Sequence, residues 1–130
     1  MMDYRAFILE IQDRAGLNTE RESVIAVEAT LKTLGERLSE REAVYLAAQL
    51  PPEIGRFLTV VDTNQIFDLE EFYENVARRE LTDSAESREH ARVVISLVEE
   101  TVGPGALQEA LARLPEDYAG LFSPGSLLAG

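Results

Sequence analysis

Residues 46–58 read LAAQLPPEIGRFL, and residues 110–122 read ALARLPEDYAGLF. In both stretches small and apolar residues run into Leu-Pro, followed by an acidic residue and a short apolar cluster. A proline biases the residue before it away from helical angles. Leu50 and Leu114 therefore end an apolar stripe, and the proline starts a new short helix in a changed direction. Ile54, Phe57 and Leu58 in one copy, and Tyr118, Leu121 and Phe122 in the other, are spaced to fold back on what precedes them. Each copy spells a corner, and nothing in it is reactive.

Working outward, the doubled corner is the tail of a longer repeat. With Pro51 over Pro115, Leu50 falls over Leu114, Leu38 over Val102, Leu34 over Val98, Leu31 over Ile95 and Val27 over Ala91. One residue of slack then brings Phe7 over Phe72 and Ile11 over Val76. Val27, Leu31, Leu34 and Leu38 step by four, three and four, as do Ala91, Ile95, Val98 and Val102. That spacing lays one apolar stripe along a helix. Ala43, Leu46, Ala47 and Leu50 repeat the device, matched by Leu107, Ala110, Leu111 and Leu114.

The start and stop signals agree. Thr19 with Glu22 and Ser39 with Glu42 have capping-box spacing, and Asp68 with Glu71 and Asp83 with Glu86 are acidic variants of it. Gly103-Pro104 opens the matching helix in the second copy, where a proline at the first position loses no hydrogen bond. Gly16 fits a left-handed terminator. Helices are expected near 4–15, 19–38, 40–50 and 52–58, then 69–80, 84–102, 104–113 and 115–122. The stretch FLTVVDTNQIF (57–67) is the best strand candidate, but Asp62-Thr63-Asn64 is turn-like. Residues 59–67 become a linker, partly buried through Val60, Val61, Ile66 and Phe67. The tail SPGSLLAG (123–130) is expected to fray, with Leu127 and Leu128 able to dock.

The expected fold is all-α: two pseudo-symmetric four-helix units, about 3–58 and 68–122, packed into a single helical domain. A unit of that size has limited capacity to bury its own surface, so the two should pack through their apolar stripes. The segments DYRAFILEIQDRAGL, LAAQLPPEIGRFL, LEEFYENVARRE, EHARVVISLVEETVGPG and RLPEDYAGLF, spread over the chain, resemble the DUF2267 family. That family is an uncharacterised group of small bacterial helical proteins with two related halves. The resemblance implies an all-helical fold and carries over no catalytic residue.

Composition narrows the function. Twelve basic against 24 acidic residues give a net charge of −12. Residues 1–65 hold seven basic and eleven acidic side chains (−4), and residues 66–130 hold five and thirteen (−8). Such a surface repels phosphate backbones and anionic lipids, so neither nucleic acid nor membrane is expected as a partner. No apolar run approaches the roughly 20 residues of a membrane-spanning helix, and the amino terminus has no secretory pattern. Without cysteine there are no disulfides or thiol nucleophiles, which fits a cytoplasmic setting.

Chemistry-bearing patterns are sparse. The one histidine, His90, has no nucleophile elbow or oxyanion turn near it, and a helix-flank histidine bonded to a neighbouring glutamate is expected. A di-iron bundle needs paired Glu-x-x-His motifs, but Ser87 stands three before His90. Glu70, Glu71 and Glu74, or Glu99 and Glu100, look like solvated helix faces rather than acid–base pairs. No catalytic residue, cofactor or metal ligand is therefore assigned. Two aromatic-bearing faces stand out: Tyr73 beside Glu70, Glu71, Glu74 and Arg78, and Tyr45 beside Arg41 and Gln49. Aromatic plus arginine is the composition of interface hot spots, although a Glu74–Arg78 bridge would be ordinary on any helix. The expectation is a non-enzymatic interaction module, meeting a basic protein partner or a second copy of itself. The alternative is a small-ligand binder using the cleft between the repeat units.

Overall fold

Short polar side chains start most of the helices. Asp3 accepts the Ala6 amide ahead of α1 (Tyr4–Ala15), Thr19 the Glu22 amide ahead of α2 (Glu20–Arg37), and Ser39 the Glu42 amide ahead of α3 (Glu40–Ala47). Proline opens α4 (Pro52–Thr59). Asp68 caps α5 (Leu69–Glu80) and Asp83 caps α6 (Ser84–Val102), and α7 (Pro104–Arg113) and a 3-10 helix (Glu116–Leu121) follow. Ser39 with Glu42 and Asp68 with Glu71 form complete capping boxes. The Thr19 hydroxyl instead donates to the Glu22 carboxylate at 3.2 Å, and Glu86 accepts the Thr82 hydroxyl at 2.6 Å.

This computed structural model describes residues 2–122, so the expected docking of Leu127 and Leu128 lies outside the described residues. Within them the chain is all-α, and no strand occurs. Two helices stop earlier or tighten relative to expectation. α3 ends at Ala47 rather than Leu50, because Gln49 and Leu50 bond back three residues, to Leu46 and Ala47, as the chain approaches Pro51. The last element is a 3-10 helix rather than an α-helix. It is drawn toward α5 by the Asp117 carboxylate, which accepts the Leu69 amide at 2.8 Å.

The apolar stripes meet in one continuous core. Phe7, Ile11, Val27, Leu31 and Leu34 pack with Phe72, Val76, Ala91, Ile95 and Val98, all at most 1 % exposed. Each such large side chain contributes roughly 1.5–3 kcal/mol relative to exposure. The expected linker burial holds only in part. Phe67 is buried and Val61 half-buried, but Val60 (54 %) and Ile66 (90 %) face out. The linker is held through its backbone instead: Asn64 N–H donates to Leu38 and Gln65 N–H to Glu36, each at 2.8 Å. Asn64 takes a left-handed conformation (φ 60°) to do so.

Some of the contacts between helices pair up under the sequence correspondence. α1 packs on α6 as α5 packs on α2, while α2 lies on α6 and α3 on α7. Ion pairs follow the same exchange. Arg14 of α1 grips Glu100 of α6 at 2.6 and 2.9 Å. Arg79 of α5 grips Glu36 of α2 at 2.9 Å through both nitrogens and adds the Thr33 hydroxyl at 2.8 Å. Arg14 falls over Arg79 in the repeat, and Glu36 over Glu100. Each half thus holds the long helix of the other.

Candidate interaction groove

The Leu50–Pro52 corner also borders an open depression. A groove of about 1030 Å³ runs between the start of α1, the Leu50–Pro52 corner and the end of α6. Met2, Tyr4, Leu50, Pro51, Pro52 and Leu97 give it an apolar lining. Thr101 and Gln49 sit on it, and Asp3, Arg5, Glu53 and Glu100 supply its charges. Arg5 is paired with Glu20 at 3.1 Å and Glu100 with Arg14, so Asp3 and Glu53 leave the groove acidic. The Arg14 hydrogen bond holds the Glu100 carboxyl below its usual range.

One of the two aromatic faces leads to this groove. Arg41, Tyr45 and Gln49 follow one another at turn spacing along α3 and the turn after it, and the Gln49 side-chain amide donates to the Tyr45 carbonyl at 3.2 Å. Arg41 is exposed, and Val44 (54 %) and Tyr45 (52 %) are open to solvent as large side chains.

The other face lacks its expected aromatic: Glu70, Glu71, Glu74 and Arg78 are exposed, but Tyr73 is not. Tyr73 is 1 % exposed, edge-on to Phe72, with the Arg88 guanidinium 4.5 Å from its ring centroid. Glu70 binds Arg88 at 3.0 Å, Glu71 completes the α5 cap, and Arg78 donates to Asn75 Oδ1 at 2.8 Å rather than bridging to Glu74. Only Glu74 remains a plain exposed acid of that group. The repeat held the missing signal, since Tyr73 falls over Ile8, a core position.

His90 is paired, though across helices rather than along its own. Its Nδ1 lies 2.7 Å from Glu80 Oε1, with side chains 14 % and 5 % exposed. Burial raises the Glu80 carboxyl above its ordinary value, and the hydrogen bond from His90 offsets part of that. Among the described residues no group of three His, Asp or Glu side chains gathers to hold a metal ion. No helix of the described residues is long and apolar enough to cross a membrane.

These features define an all-helical protein with exchanged contacts between its two halves and an open acidic groove at their junction. The chain belongs to the DUF2267 family, whose model, described as an uncharacterized conserved protein, matches residues 4–121. A comparison with curated proteins returned no match.

Proposed function

We propose that this protein works by protein–protein contact, without catalysis, and that the groove with the adjoining α3 face is where a partner docks. The observation that carries the reading is the continuity of Arg41, Val44, Tyr45 and Gln49 with an apolar-lined, acidic-rimmed groove. The acids that could otherwise suggest chemistry are engaged in holding the fold: Glu36 and Glu100 with arginines, Glu71 in a cap, Glu80 with His90. A net charge of −12 orients and speeds the approach of a basic partner more than it tightens the complex.

Quantitative cross-linking from native lysate tests this. The full chain is compared with a Tyr45→Ala variant on α3, a Glu53→Lys variant on the groove and a Glu74→Lys variant on α5. A set of proteins retained by the chain and by Glu74→Lys, but lost with the Tyr45 or Glu53 changes, is the expected result. Equal capture by all four proteins removes the proposal.

The small-ligand alternative has the same groove in its favour, since its lining is apolar with a few polar groups. Native mass spectrometry distinguishes the two readings, because a co-purifying adduct lost in Leu97→Trp would favour the ligand.

A further inference from the structure

The outer face of α3 and its counterpart on α7 share one pattern and differ in what they show to solvent. Under the repeat correspondence Arg41 falls over Gly105, Val44 over Gln108, Tyr45 over Glu109 and Ala48 over Ala112. The α7 residues matched to Val44 and Tyr45 are thus polar, as suits the solvent side of an amphipathic helix. On α3 Val44 is 54 % and Tyr45 52 % exposed, and Ala48, also exposed, stands one turn beyond Val44. Large apolar side chains next to each other on a two-turn helix make a patch, unlike the single scattered ones that any surface carries.

The charges around the patch say what covers it. Arg41 stands in the first turn of α3, at the positive end of its own helix, where a cation is disfavoured. Neither Arg41 nor Glu53 makes an ion pair among the described residues. The two lie at opposite ends of the patch. Arg41 precedes Val44 and Tyr45, and Glu53 follows them past the corner, where it shares a lining with Ala48 and Gln49. A face with an apolar centre, a cation at one end and an anion at the other is complementary to itself turned end for end. That is the requirement of a two-fold contact between identical chains. The antiparallel arrangement also carries each Arg41 toward the C-terminal end of the opposing α3, where the helix dipole favours a cation. A net charge of −12 would hold two copies apart, but the exposed charges of α3 and α4 balance, Glu40 and Glu53 against Arg41 and Arg56. Charges elsewhere on the surface are screened beyond about 8 Å at physiological ionic strength.

We infer that two copies of this chain meet antiparallel across a two-fold axis at α3, with Val44 and Tyr45 of one against those of the other and each Arg41 against the opposing Glu53. This rests on the protein-contact reading above and names the partner; the cation brought to the acidic rim is Arg41 of the second copy. One short helix and the corner beyond it bury less surface than a permanent dimer does, so association is weak and concentration-dependent.

Sedimentation velocity of the purified full chain, at protein concentrations up to about 1 mM, tests this. The expected result is a shift from monomer to dimer as concentration rises. Tyr45→Ala, Arg41→Glu and Glu53→Arg should each weaken the dimer at least about tenfold. The two charge reversals sit at exposed, unpaired positions, and mixing them gives the decisive readout. In an antiparallel pair of Arg41→Glu with Glu53→Arg, both end contacts again join opposite charges, so the equimolar mixture should associate as the unaltered chain does although neither variant does so alone. A chain that stays monomeric throughout overturns the inference. So does association that survives Tyr45→Ala unchanged, or a mixture of the two reversals that stays monomeric, since either places the contact elsewhere or in another orientation. A monomer whose capture of lysate proteins still depends on Tyr45 removes the dimer and leaves the protein-contact reading standing; a monomer with equal capture by all variants removes both.

Discussion

The two corners share a pattern but are built to different tolerances. In the first half α4 lies against α2 and α3 with glycine at both crossing points. A Cβ on Gly35 would collide with the Leu58 carbonyl, and one on Gly55 would stand 2.5 Å from the Ala47 carbonyl. Backbones can approach this closely only where no side chain intervenes. In the second half the corresponding residues are Glu99, which is buried, and Ala119. There the element after the proline is a 3-10 helix fastened by Asp117 and Tyr118 to the start of α5. One corner is closed by packing, the other by hydrogen bonds. The groove borders the packed corner.

Four substitutions would break or sharpen that contrast. The largest effect is expected from Gly35→Val, which should destabilise by about 3 kcal/mol or more through overpacking. Urea denaturation measures it, and a loss under about 1 kcal/mol would mean α4 can move aside.

The exchanged ion pairs come next, and they should be unequal. Arg79→Ala removes a partly buried, two-pronged pair and is expected to cost about 1–2 kcal/mol. Arg14→Ala, whose partner Glu100 is half exposed, should cost below about 1 kcal/mol and less in high salt. Because Arg14 depresses the Glu100 carboxyl, the contribution is present above the ordinary carboxylate range and is lost as pH falls through the lowered value. Equal losses in the two variants at neutral pH would show that the halves brace one another symmetrically in energy as well as in pattern.

The smallest effect concerns a feature of the second half alone, since Glu80 and His90 fall over Ala15 and Ala26. Burial raises the Glu80 carboxyl, with Glu86 adding to the rise, so the folded state holds that proton more tightly than the unfolded chain. Stability from this group is therefore greatest below the unfolded carboxyl value and declines as pH rises through the raised one. Glu80→Gln should flatten that decline by up to about 1 kcal/mol, read from denaturation at several pH values. A steeper decline in the variant would show that the His90 pairing outweighs the burial.

Much of the fold was legible in the residues themselves. The starts of α1, α5 and α6 follow from capping side chains, that of α7 from Pro104, and the end of α1 from Gly16, all local signals. Termini set by distant partners were not legible. The tightening of the last helix depends on Asp117 reaching Leu69, 48 residues away in sequence. Tyr73 stands at a core position that its acidic neighbours obscure and its counterpart Ile8 marks. The α3 face was legible from Arg41, Tyr45 and Gln49. The groove was not, because it lies where the start of α1, the Leu50–Pro52 corner and the end of α6 meet, a juxtaposition no local pattern spells.

The exchange of arginines has a consequence for ancestry. A chain of half this length, meeting an identical copy, would satisfy both pairs at once, the guanidinium of each subunit finding the carboxylate of the other. Gene duplication and fusion would then turn an intermolecular seam into an internal one. Once fused, each copy is free to diverge, and a position that formerly had to serve both subunits alike can take a separate role in each.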